Sequence, residues 1–237
     1  MSLEVLQEKS QITTAREEMR QREISFVESP LKSLMRRLRI VRGMNLGDRV
    51  KSWDVLAAVK FLESHVKRNE PVLDIGCYAS EIIVVLHKLG YSNLAGADLN
   101  PDLKMMPYQN AIRYEISDFM HTKFADSSFR AITSISVIEH GFDGPSLLKE
   151  ISRLLKPNGY FIASFDYWPE KIDTTRIKFF GMDWMVFSKQ DVEGFVNEAA
   201  KYALFPIGKM EFSAREKVIN WGGQQYTFAW LALEKRA

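Results

Sequence analysis

At 237 residues, 46% hydrophobic and 26% charged, the chain has room for one large α/β domain and falls outside the disordered classes. A single cysteine excludes an internal disulfide and fits a reducing compartment, and no apolar run approaches the roughly 20 residues that cross a bilayer. The polar start does not read as a signal peptide, so a cytoplasmic protein is expected; a net charge of +2 argues neither for nor against nucleic acid, and no nucleic-acid partner is expected.

Residues 1 to about 29 are mixed in charge with a weak helical pattern, suiting either a docked helix or a loosely held arm. Pro30 opens a stronger pattern. Leu31, Leu34, Met35, Leu38 and Val41 recur at helical spacing, Lys32, Arg36, Arg37, Arg39 and Arg42 fill the other positions, and Gly43 ends the run. Three readings fit this basic amphipathic helix: a docked helix with a solvated basic face, a contact for an anionic substrate, or peripheral contact with an anionic membrane. Residues 1–49 thus read as an N-terminal helical extension and 50–237 as the main domain.

Val50 to about Arg68 predicts a helix through Val55, Ala58, Val59, Leu62 and Val66. Val72-Leu73-Asp74-Ile75 then has the apolar run of a central parallel strand, and Gly76 falls where the backbone turns sharply. Ile82 to Leu89 forms an apolar helix stopped by Gly90. Strands are expected over Leu94–Asp98, Ile112–Ile116, Phe129–Val137 and Tyr160–Phe165, with a helix over Pro145–Leu155 and a turn at Lys156–Gly159. A helix over Asp191–Tyr202 with Ser188 as cap precedes late strands near Leu204–Ile207 and Tyr226–Leu233. Strands alternating with helices predict a doubly wound, mostly parallel sheet.

In such a sheet the turn after the first parallel strand opens a ligand crevice, and Asp98, at the tip of the next strand, can accept hydrogen bonds from a ribose. That pair alone suits NAD equally. Asp118-Phe119 after the third strand can bracket an adenine with an acid and a ring. Ser136-Val137-Ile138-Glu139-His140 sets an imidazole at the carboxyl edge of the fourth.

Taken in order, these residues resemble the class I S-adenosylmethionine-dependent methyltransferases. Val72–Ser80 matches the family's glycine-rich motif, Asp98 its ribose acid, Asp118 its adenine-side acid, Ser136–His140 its fourth-strand motif, and Leu154–Gly159 the turn before the fifth strand. The resemblance implies a Rossmann-like seven-stranded fold and an S-adenosylmethionine cofactor. It places Asp74, Gly76, Cys77, Tyr78, Asp98, Leu99, Asp118, Phe119, Ser136 and Val137 around that cofactor. Tyr78 departs from the pattern, since the family usually has glycine there.

A hydroxyl acceptor loses a proton as it is methylated, and His140 is the candidate base. Asp166 is the second candidate catalytic contact, and Tyr167, Trp168 and Asp173 suit a sugar's faces and hydroxyls. His65, His87 and His121 read as structural. Relatives with Glu-x-x-Glu-His bind a divalent ion, but Ser136 replaces the first acid, so no metal is expected. The set from Ser136 to Ser188 resembles methyltransferases of glycan and lipopolysaccharide biosynthesis, implying a sugar hydroxyl as acceptor. The alternatives are a natural-product hydroxyl and a non-catalytic binding subunit; an NAD enzyme is disfavoured because the third dinucleotide glycine is missing.

Overall fold

The computed structural model describes residues 1–28, 30–38, 40, 44–141, 143–179 and 181–236, the side chains of 30–33 and 179 aside. The sequence signals at Leu31, Lys32, Arg39, Val41, Arg42 and Gly43 lie outside the described residues or side chains.

The chain opens with strand β1 (Leu3–Val5), helix α1 (Lys9–Gln21) and helix α2 (Pro30–Arg37). A 3-10 turn over Arg49–Lys51 leads into α3 (Ser52–His65), then β2 (Val72–Ile75), α4 (Ile82–Lys88) and β3 (Leu94–Asp98). A second 3-10 turn over Pro101–Met105 precedes β4 (Ile112–Ile116), β5 (Phe129–Ile135), α5 (Gly144–Leu154) and β6 (Leu155–Tyr167). The small hairpin β7 (Lys178–Phe179) and β8 (Met182–Asp183) is followed by α6 (Lys189–Ala200) and β9 (Leu204–Pro206). Strand β10 (Ile219–Trp221) and the long β11 (Gln224–Lys235) close the chain.

The main sheet has the order β4-β3-β2-β5-β6-β11-β1. Strands β4, β3, β2, β5 and β6 are parallel to their neighbours, and β11 returns antiparallel against β6. This is the doubly wound sheet expected from the alternation of strands and helices. Besides β6, the three short strands β1, β9 and β10 pair with β11, which brings the sheet to nine strands where seven were expected. Leu3–Val5 lies opposite Ala229–Leu231, and Leu204–Pro206 opposite Leu233–Lys235.

The N-terminal segment, read as helical, therefore also supplies a strand. Three residues are too short for a period-2 signal, and Leu3, Val5 and Leu6 are buried only because β11 offers an open edge. Two apolar layers flank the sheet, one beneath α5 and α6 and the other joining α1, α3 and α4. Strand β5 stops short of the expected Val137 because Ser136 takes φ +54° and swings the chain off the sheet. The expected turn at Lys156–Gly159 is absorbed into β6 as an irregularity, with Asn158 at φ +60° and a register shift opposite Phe129 and Ala131. Ser188 caps α6 as expected, in a reciprocal capping box with Asp191.

Candidate active site

The site begins where β2 ends. Gly76 takes φ +67° and Ala79 φ +59°, so those two residues, and not Tyr78, carry the left-handed turns. A side chain at position 78 is accommodated for that reason. A Cβ on Gly76 would lie 2.4 Å from Val137 Cγ2, so the glycine makes room for the chain's own fourth-strand motif. Val137 acts as packing there. Cys77 turns the other way, with its sulfur 2.6 Å from where a Cβ on Gly96 would sit, and burial raises its thiol pKa. It fills the core and does not face the cavity.

The turn is tied to the next strand tip. Tyr78 N–H donates to Asp98 Oδ2 at 2.9 Å and Asn100 N–H to Asp98 Oδ1 at 2.8 Å. Each oxygen keeps lone pairs for a further donor. The Ser117 amide donates to the Asp98 carbonyl at 3.0 Å, bringing Asp118 and Phe119 alongside. Asp118 Oδ1 accepts from Met120 N–H, Phe119 packs half-buried against the core, and Leu99 projects outward. Asp74 is buried beneath the turn, accepting from Thr133 Oγ1 at 2.7 Å, and burial lifts its carboxyl to about 7.

Beside the turn opens a cavity of about 660 Å³. Its floor holds Ser136, Glu139, His140 and Asp166, with Lys51 entering from the 3-10 turn before α3. Ser136 Oγ, Glu139 Oε2 and Asp166 Oδ1 are buried with no hydrogen bond. Lys51 Nζ stands 3.6 Å from Asp166 Oδ1 and 3.5 Å above the centre of the Phe228 ring. Trp184 Nε1 donates to Asp166 Oδ2 at 2.8 Å. Burial, reinforced by the Asp166 charge, holds the Glu139 carboxyl above the usual carboxylate range. Burial lowers the His140 pKa below 6.5 against the opposing pull of Asp166, leaving the imidazole neutral near pH 7.

The structure thus brings His140, Asp166, Ser136, Gly76 and Tyr78 together at one cavity. It does not bring Tyr167, Trp168 or Asp173 there. Along β6, alternation points Asp166 into the cavity and Tyr167 into the opposite core, where its hydroxyl donates to the Phe212 carbonyl at 2.8 Å. Trp168 packs half-buried against the cluster that includes Leu6, Val186 and Ile219, beneath Lys217, and Asp173 lies exposed in its own turn. The aromatic wall comes instead from Trp184, Trp221, Tyr226 and Phe228. Period 2 at the start of an antiparallel last strand was the available signal for Tyr226 and Phe228, since that end returns to the carboxyl edge of the parallel strands. Nothing in sequence pointed to Lys51. Among the described residues no group of three or more His, Cys, Asp or Glu side chains is placed to hold a metal ion.

The N-terminal arm closes over the same turn. Arg16 of α1, itself buried, donates to Glu81 Oε1 at 2.7 Å, Ser52 Oγ at 2.7 Å and Ser25 Oγ at 2.9 Å. Glu81 also accepts from Phe26 N–H at 3.1 Å, and Gly47 N–H donates to the Ala79 carbonyl at 2.8 Å.

Residues 73–163 match the family model described as a methyltransferase domain. Among curated proteins, the sterol 24-C-methyltransferase erg6 of Aspergillus fumigatus is 33% identical over 104 residues, covering 40% of this chain and 28% of that protein. The methyltransferase GfsG of Streptomyces halstedii is 24% identical over 102 residues, covering 40% of this chain and 37% of that protein. The chain therefore spans well under half the length of these relatives. Among solved structures, geranyl diphosphate C-methyltransferase from Streptomyces coelicolor, crystallised with S-adenosylhomocysteine, gives a TM-score of 0.58 at 15% identity, covering 76% of this chain and 78% of that one. The [4+2]-cyclase SpnF gives 0.63 at 11% identity, covering 81% and 83%.

The fold is the Rossmann-like fold of the class I S-adenosylmethionine-dependent methyltransferases, and residues 73–163 carry the match to a methyltransferase domain. The site's residues fit that cofactor. An acid with spare lone pairs stands at the β3 tip, the turn is held open by left-handed backbone, and the carboxyl groups of Glu139 and Asp166 line the cavity beside it. The glycan-specific resemblance has no counterpart in these relatives.

Proposed function

We propose that this chain methylates a hydroxyl of a small sugar-like acceptor, such as a nucleotide-linked or lipid-linked sugar, with His140 as general base. The observation that carries this reading is a neutral imidazole lining the same cavity as two buried carboxyl oxygens that make no hydrogen bond. Asp98 and Asp118 would hold the nucleoside end of S-adenosylmethionine, and Gly76, Tyr78 and Ser136 its amino-acid end. When bound, the cofactor supplies an electrophilic methyl group. The chain's own work is alignment and proton removal. His140 takes the hydroxyl proton, Asp166 and Glu139 hold neighbouring hydroxyls, and Lys51 balances the Asp166 charge. Trp184 fixes the Asp166 carboxylate, and the aromatic wall excludes water.

A second reading rests on that wall. Trp184, Trp221, Tyr226 and Phe228 also suit the flat or terpenoid skeleton of a natural product, methylated at a hydroxyl by the same base. Calorimetric titration of S-adenosylmethionine and S-adenosylhomocysteine, with NAD as control, comes first. A panel of methyl glycosides, nucleotide sugars and phenols follows. Micromolar cofactor binding with turnover of a sugar supports the first reading, and turnover of phenols alone moves the assignment to the second. Cofactor binding with transfer only to carbon or nitrogen removes the hydroxyl acceptor, and no cofactor binding leaves the non-catalytic alternative.

A further inference from the structure

At the end of helix α2 and just after it, described aliphatic side chains face outward. An amphipathic helix docked on a domain turns its leucines inward. Here Leu34, Leu38 and Ile40 are 53%, 61% and 64% exposed, while Met35 between them is half-buried. Leu34 and Leu38 are one turn apart and share a face, with exposed Arg37 beside them. Three large aliphatic side chains exposed within seven residues form a patch that a water-facing surface does not need.

Charge says what covers it. Residues 30–42 hold five basic and no acidic residues, so a chain of net charge +2 is −3 over the remainder. The positive charge is concentrated where the exposed leucines are. Arg36 is bound to Glu28, with contacts of 3.0 and 3.1 Å from its Nε, and reaches the Met44 carbonyl at 3.4 Å. That anchors the helix next to Asn45, which lines the cavity, whose rim also carries the half-exposed Val50 and Trp221. Among the described residues no helix is long and apolar enough to cross a membrane, so a contact here is one of lying on a surface.

We infer that the end of α2, with Leu38 and Ile40 after it, forms a peripheral docking surface for an anionic lipid bilayer, with Leu34, Leu38 and Ile40 inserting between headgroups and the exposed Arg37 beside them meeting the lipid charge. A basic surface for nucleic acid would leave the leucines without a role. This inference stands apart from the acceptor, because docking is read without turnover.

Co-sedimentation with vesicles tests it, using equal parts phosphatidylglycerol and phosphatidylcholine against phosphatidylcholine alone. The full chain should partition about tenfold more strongly onto the anionic vesicles, and salt of about 0.5 M should remove most of that preference. L34S/L38S should lose about tenfold in partitioning, and R37Q a smaller factor, with melting temperature and S-adenosylhomocysteine affinity unchanged. Both substitutions are at exposed positions, so the fold survives them. Failure of the full chain to sediment with anionic vesicles, or equal sedimentation of L34S/L38S, overturns the inference. So does loss of a dimer in L34S/L38S on size exclusion with no vesicle binding by the parent, which would make a second copy the occupant.

Discussion

Burial and Asp166 pull the His140 imidazole in opposite directions, and burial prevails. A base must be neutral to accept a proton, so the rate should rise with pH along a limb centred below 6.5 and flatten by neutral pH. D166N removes the charge that raises the His140 pKa, and the limb should move further down in pH. H140A should lower kcat by about 10²- to 10⁴-fold with S-adenosylhomocysteine affinity unchanged. A pH–rate profile and calorimetry on the two variants check both, and an unchanged kcat in H140A removes the base assignment. Residue identity alone could not separate Asp166 from Tyr167. Their opposite faces follow from strand alternation, and which face meets the cavity depends on β11 and Trp184.

At the scale of elements, α1 is fastened to the cofactor turn by one buried ion pair. Arg16 and Glu81 are each almost fully buried, and Arg16 also holds Ser52 at the start of α3. Removing one partner of such a pair strands the other charge, at a cost of about 3–5 kcal/mol. R16Q should therefore lower the melting temperature by roughly 10 °C, while R16Q/E81Q, which strands no charge, should recover part of that loss. Both variants should bind S-adenosylhomocysteine more weakly, because Glu81 ends the turn that begins at Gly76. Thermal melts with and without the ligand separate the two effects. A double variant no more stable than R16Q would show that the pair's hydrogen bonds matter more than its charge balance. No sequence pattern announces this pair, since its members are 65 residues apart.

For the whole molecule, the edge of β11 is the exposed flank of the sheet. It is covered by β1 and β9 in succession, and Leu3, Val5 and Leu6 are buried in doing so. Deleting residues 1–6 should cost about 5 kcal/mol of apolar burial and leave an open strand edge. The truncated chain should melt at least about 10 °C lower and aggregate on heating. Melting within about 3 °C of the full chain would mean that β11 is protected without β1.

The doubly wound architecture, the strand–helix transitions at β2–α4 and β5–α5 and the acids at the strand tips were legible in the sequence. Each rests on local physics: an apolar run long enough for a buried strand, a residue able to turn, an acid at a strand end. Ser188 at its cap and Asp98 beneath the turn amide belong to the same group. The cavity's composition was not legible in that way. Lys51, Trp184, Trp221, Tyr226 and Phe228 come from four separate segments and meet only once β11 inserts antiparallel beside β6. The outward Leu34 and Leu38 belong with them, because periodicity gives a helix its faces but only the packing around it decides which one meets water.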